Sequence, residues 1–249
     1  MRFKFVDILL FVLVFIFVAA FPFDLLPLDF TLRLAVQVGL RFLLVAYYIY
    51  IIIKYKIKIF GIANIKNLLL CIPFFLVSFS NLTASLIAGG FNGPGALSEI
   101  DFTLYIVLTM EVAISEEIVF RLFIHNALIR TTSLKRILGS AAIFALMHLL
   151  NAVNVSSVEG LITVLIQTIY TFGLGLLLGV MYEYSHSLVG AMLLHFCFNM
   201  FNQVIYLYVG GFSSELCYYL TAVGYAVVVG GYATLITFLY FRKYDLYFR

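Results

Sequence analysis

Long uninterrupted apolar runs, each near the length that a bilayer demands, constrain this chain more than any other feature. Broken at charge clusters and at Gly, Pro and Asn turns, it leaves runs near 5–22, 34–53, 67–90, 103–129, 134–151, 159–182, 187–209 and 216–241. A spanning helix needs about 20 mostly apolar residues. The runs therefore predict about eight transmembrane helices in 249 residues, joined by short loops and leaving no sizeable soluble domain. Hydrophobic residues reach 64% and charged residues only 11%, against roughly 45–50% and ~25% in soluble domains. The runs are continuous stretches of Leu, Ile, Val and Phe, whereas a porin-type barrel alternates over about ten residues at a time. The expected class is all-α, a polytopic membrane protein whose helices enclose a polar cavity.

Orientation follows from where the basic residues sit. Arg2 and Lys4, then Lys54, Lys56, Lys58 and Lys66, then Arg130, Lys135 and Arg136, then Arg242, Lys243 and Arg249 all fall on one side of the predicted spans. By the positive-inside rule that side, with both termini, is cytoplasmic. The opposite loops carry Asp24, Asp29, Glu99, Asp101 and Glu215. The formal charge of +3 does not imply nucleic acid. The apolar run after Lys4 is longer than a signal-peptide core usually is, so it is taken as a retained first span. Three regions are expected: helices 1–3 in residues 1–102, a core of helices 4–7 in 103–209, and a last helix with a basic tail in 210–249.

The three cysteines, Cys71, Cys197 and Cys217, lack the paired spacing of a disulfide framework or a zinc knuckle. Gly89 to Gly95 has no Lys-Ser/Thr of a phosphate loop and follows an apolar helix, so it reads as a turn. Gly175 and Gly179 form a GxxxG pair, which lets two membrane helices approach closely.

Polar residues inside the apolar runs carry the functional signal, because each charge at a bilayer centre costs at least about 2.5–3.5 kcal/mol. The fourth run holds Glu111, Glu116, Glu117 and Arg121. Glu117 and Arg121 are spaced i, i+4 and can neutralise each other, which suits a structural ion pair as well as a site. Glu116 lies about 100° around the helix from Glu117 and has no basic residue at i±3 or i±4. Adjacent carboxylates in different environments are what acid–base chemistry uses. His148 ends the pattern Phe144-x-x-x-His148 in the fifth run, and His195 shares a helix face with Asn199 in the seventh. A lone histidine in such a helix usually satisfies an interhelical hydrogen bond, but three helices each bringing polar groups point to a site. His125 and His186 lie near cytoplasmic helix ends, where solvated or interfacial roles suffice. Arg41, alone in the second run, is expected either to pair with Glu111 or to line the cavity. A Cys197–His195 nucleophile fails because the two sit i, i+2 and face apart. No GxSxG elbow surrounds Ser115 and no HExxH helix is present.

Glu116-Glu117-x-x-x-Arg121, Phe144-x-x-x-His148 and His195-x-x-x-Asn199, in this order on three helices, resemble the motifs of the CAAX protease and bacteriocin-processing (CPBP, or Abi) family of intramembrane endopeptidases, related to the Rce1-type prenyl-protein proteases. The resemblance covers roughly residues 103–205. It implies a membrane-embedded protease in which Glu116 acts as general base, His148 helps to orient the attacking water, and His195 with Asn199 stabilises the oxyanion. Glu117 and Arg121 would hold the first motif in shape. Leu122 and Leu149 depart from the small residues common after the Arg and His of the family, so packing there is expected to differ.

Two histidines and a glutamate could bind zinc with one position open. Asn199, however, is a poor zinc ligand and a good oxyanion donor, so the metal-free glutamate mechanism is preferred. The implied substrate is a small peptide or a lipid-modified, membrane-proximal tail, with peptide maturation or bacteriocin self-immunity in a bacterial plasma membrane as the favoured setting. The alternative is a non-catalytic membrane partner that regulates a sensor kinase or transporter. One mismatch stands out: His148 falls near the outer end of its run, while His195 and the Glu pair lie deeper. At 1.5 Å per residue a single water does not span the difference. The fifth helix should therefore be tilted, or else stop short within the membrane so that the stretch from Asn151 to Ser157 lines the cavity; the second is preferred.

Overall fold

The computed structural model describes residues 5–59, 97–128, 131–155 and 157–201, together with residues 227, 231, 232, 235 and 239. The expected helix at 67–90 and most of that at 216–241 lie outside the described residues, so the total of eight is not read from them. All regular structure among the described residues is helical: α1 (Phe5–Ala19), α2 (Phe30–Lys54), α3 (Glu99–Glu117), α4 (Ser133–Met147), α5 (Val158–Ser185) and α6 (Leu188–Asn199). Among the described residues three segments are long and apolar enough to cross a membrane, Phe30–Lys54, Ser133–Val153 and Val158–Glu183. Large apolar side chains stand exposed at helical spacing, among them Leu161, Leu165 and Ile169 on α5. A soluble protein does not expose apolar surface on this scale, and lipid does not penalise it. The chain is an integral membrane protein.

Local sequence sets where these helices begin. Asp29, Ser98, Thr132, Ser157 and Ser187 each sit at an N-cap and accept a hydrogen bond from the backbone N–H three residues on, satisfying a donor that the helix itself leaves orphaned. His186 takes a left-handed backbone at φ 51°, so α5 turns into α6 across only His186 and Ser187. The GxxxG pair acts as expected. A Cβ at Gly175 would stand 3.0 Å from the Cα of Ala141, and one at Gly179 would stand 3.2 Å from Ile137. The missing side chains let α4 lie along α5.

The starts of α2 and α3 are fastened side by side. Asp101 accepts from the hydroxyls of Ser98 at 2.7 Å and Thr31 at 2.8 Å. These hydrogen bonds, Ser98 first and Thr31 second, hold its carboxyl below the usual carboxylate range. An unfolded Asp titrates near about 4, so this group's contribution to stability is complete above that value and is lost as the pH falls through it toward the depressed folded value. Asp101→Asn should therefore be less stable than wild type at neutral pH, and the gap should narrow on acidification. Thermal unfolding of solubilised protein across the acid range checks this; a gap independent of pH would show that the ionised form is not what these hydroxyls hold.

α3 is the central element. It continues without a break into a π-helical segment, Ile118–His125, of which every residue is buried. α1 packs against this segment through Phe11 stacked on Phe123 (ring centroids 4.5 Å apart) and Phe15 edge-on to Phe120 (5.7 Å). The hydroxyl of Tyr48 donates to the Phe11 carbonyl at 2.7 Å and ties α2 to α1. α6 also lies against α3, and this contact brings the second histidine to the first motif.

Candidate active site

The α-form of the fifth helix ends at Met147, and the chain continues as a 3-10 segment, His148–Asn154. The tighter turn carries His148 and Asn151 to the wall of a cavity of about 180 Å³, while the helical segment as a whole, Ser133–Val153, stays long enough to cross a membrane. Glu116, His195 and Asn199 line the same cavity. Four of the six residues singled out by the sequence are thereby gathered from α3, the end of α4, and α6. Glu117 and Arg121 lie beneath them, both fully buried.

Glu117 and Arg121 form the ion pair that their spacing allows, with Arg121 Nε donating to Glu117 Oε2 at 2.9 Å. Arg121 Nη1 also donates to the Ser140 hydroxyl at 3.1 Å, and its guanidinium lies 5.6 Å from the Phe144 ring centroid. The other oxygen of Glu117, Oε1, accepts from His195 Nδ1 at 2.9 Å. The ion pair therefore does more than neutralise charge: it fixes the His195 ring. Since Nδ1 carries the proton given to Glu117, the neutral ring presents Nε2 as a lone pair, 3.7 Å from Glu116 Oε2. His148 is fixed in the same sense, because its Nδ1 lies 3.0 Å from the Phe144 carbonyl and a carbonyl can only accept. Phe144 stands edge-on to both imidazoles, at 4.9 Å from His148 and 5.7 Å from His195. Glu116 differs from its neighbour. Its side chain is 13% exposed, and Oε2 has no hydrogen-bond partner. The residue lines the cavity, although Oε2 itself is closed off from solvent.

Residues 98–201 match the family model of Rce1-like proteins, the type II CAAX prenyl endopeptidases. The segment is similar to that family. No curated protein and no solved structure matches the chain. The Rce1-like segment opens at the N-cap of α3, closes just beyond α6, and contains all six residues named above. The family is a protease family, and the match supports a peptidase. Zinc was left open by the sequence. Among the described residues no three His, Cys, Asp or Glu side chains come together as a metal ion requires. No step below is routed through zinc.

One residue falls differently from expectation. His125, read from sequence as solvated or interfacial, is buried in a polar network. It contacts Glu183 at 2.6 Å and Ser140 at 3.3 Å, and Glu183 is held further by Arg136 and Ser133. The sequence signal that could have found Glu183 is a lone carboxylate near the end of an apolar run, on the side of the basic cluster containing Arg136. His186 is exposed at its helix end, as anticipated. Ser115 donates to the Val112 carbonyl of its own helix at 3.1 Å, which accounts for a buried hydroxyl without chemistry. Asn151, at the head of the stretch expected to line the cavity, and Gln167, which the sequence did not single out, hydrogen-bond each other at 3.0 Å on the cavity wall.

Proposed function

We propose that this chain is an intramembrane endopeptidase that hydrolyses a peptide bond by means of water activated at Glu116. The observation that carries the reading is one cavity lined by Glu116, His148, His195 and Asn199 within an Rce1-like segment. In the reaction, Glu116 takes a proton from water while the His148 Nε2 lone pair accepts the second water hydrogen and orients the attack. The hydroxide adds to the scissile carbonyl, and the resulting oxyanion is met by the Asn199 side-chain amide. Glu116 then delivers its proton to the departing amine, the carbonyl re-forms, and no covalent enzyme intermediate arises. His195 faces Glu116 through Nε2 and donates to the oxyanion only when doubly protonated, with Glu117 at its back. Asn199 supplies a donor in either state.

The substrate class proposed is a small peptide or a lipid-modified, membrane-proximal tail entering from the bilayer. The setting is a bacterial plasma membrane with both termini cytoplasmic, and the role is peptide maturation or bacteriocin self-immunity. The test is cleavage of a peptide library by full-length protein in liposomes, in water enriched in ¹⁸O, with the label found in the new carboxylate. Asn199→Ala is expected to lower kcat by roughly 10²–10³ with little change in KM, as loss of an oxyanion donor does. A folded Asn199→Ala protein with normal kcat would remove the oxyanion assignment. Wild type that cleaves nothing, together with full rescue of a deletion strain by Glu116→Gln and His148→Ala, would replace this reading with that of a non-catalytic membrane partner.

A further inference from the structure

Arg41 lies on α2, outside the Rce1-like segment, yet its side chain lines the same cavity as Glu116, His148, His195 and Asn199. Only 7% of the residue is exposed. Its Nε and Nη1 are closed off from solvent and have no hydrogen-bond partner, and no ion pair among the described residues includes it. The contrast with Arg121 is informative. That guanidinium, equally deep, is met by Glu117, Ser140 and the face of Phe144. The fold pairs one buried arginine through Nε and Nη1, leaving only its Nη2 without a partner, and leaves the other facing a cavity with neither Nε nor Nη1 met.

A guanidinium is always charged and offers a planar fork of donors matched to a carboxylate. Buried without a partner, it is a cost to the folded chain that an incoming anion removes. We propose that Arg41 anchors a carboxylate of the bound peptide and so positions the scissile bond over Glu116, a recognition role that rests on the protease reading above. Two carboxylates face Arg41, Glu116 and Glu111 on α3, and both act on it electrostatically. Neither is within ion-pair distance. They oppose an arriving anion at longer range, whereas a carboxylate in contact gains charge-assisted hydrogen bonds that neither glutamate makes. The carboxylate could be a free C-terminus or an acidic side chain, and the chemistry at Arg41 is the same.

Binding is measured in nanodiscs with full-length Glu116→Gln protein, which holds peptide without turning it over. The probes are fluorescein-labelled decapeptides of Leu, Val, Ile, Ala and Ser in three forms: free C-terminal carboxylate, C-terminal amide, and C-terminal amide with one internal Glu. The carboxylate-bearing form that fits should bind roughly ten- to a hundredfold more tightly than the plain amide. Whichever form gains identifies the source. Adding Arg41→Gln should abolish the preference, and Arg41→Lys should keep part of it. Equal binding of all three forms overturns the proposal, as does a preference that survives Arg41→Gln. Thermal unfolding supplies the independent check. Arg41→Met removes an unpaired charge and should be at least as stable as wild type; a loss of stability reversed by adding Glu111→Gln would assign Arg41 to a structural pair instead. Carboxylate-selective binding with no cleavage by wild type ends the protease reading and leaves standing only the carboxylate anchor at Arg41. Cleavage without carboxylate preference does the reverse.

Discussion

Full-length protein carrying Glu116→Gln should fold as wild type does and lose about 10²–10⁴-fold in kcat, the range expected when a positioned general base is removed. Gln keeps the length and shape of the side chain but cannot take a proton from water. The structure also makes this substitution clean. Glu116 Oε2 has no hydrogen-bond partner, and His195 Nε2 stands 3.7 Å away, so neutralising Glu116 breaks no hydrogen bond that ties helices together. The melting temperature should therefore hold while turnover collapses, a combination that a structural residue does not produce. Glu116→Asp draws the carboxylate back by one methylene and should fall between the two. Progress curves in liposomes, paired with thermal unfolding of the same preparations, decide the matter; a folded Gln variant with wild-type turnover would end the assignment of Glu116 as base.

Much of this site is legible in the sequence for one physical reason: a bilayer makes polar groups expensive, so those that persist stand out. Glu116, His148, His195 and Asn199 were each conspicuous in an apolar run, and all four meet at one cavity. The helix starts went unread, although Asp29, Ser98, Thr132, Ser157 and Ser187 are short polar side chains ahead of apolar stretches and cap in a single way. What could not be read were partnerships across long sequence separations. His125 looked interfacial because local sequence puts it at a helix end; its burial comes from Glu183, 58 positions away. The double duty of Glu117, to Arg121 on its own helix and to His195 on α6, is equally invisible to i, i+4 counting. The π-helical turn at Ile118–His125 breaks the 3.6-residue period on which that counting rests. Arg41 could be found but not placed, since pairing with Glu111 and lining the cavity differ only in where α2 lies.

The Glu117–Arg121 pair is where structure and chemistry are most closely joined, and three variants pull them apart. Arg121→Met should cost about 3–5 kcal/mol of stability, because it strands a carboxylate in a fully buried position. It also empties the space beside Ser140 and Phe144 that the guanidinium fills. Glu117→Gln should be destabilising in the opposite sense, leaving the Arg121 charge without its counter-ion. The double variant Glu117→Gln, Arg121→Met has no buried charge to strand, so much of the stability should return. Activity should not return with it. His195 Nδ1 would then face a neutral amide in place of a carboxylate, losing the charge-assisted hydrogen bond that fixes its ring and sets which nitrogen faces Glu116. The expected result is a double variant that unfolds close to the wild-type temperature and cleaves at least about tenfold more slowly. Recovery of turnover in step with recovery of stability would mean that the pair only holds α3 in shape, and that His195 needs no carboxylate behind it.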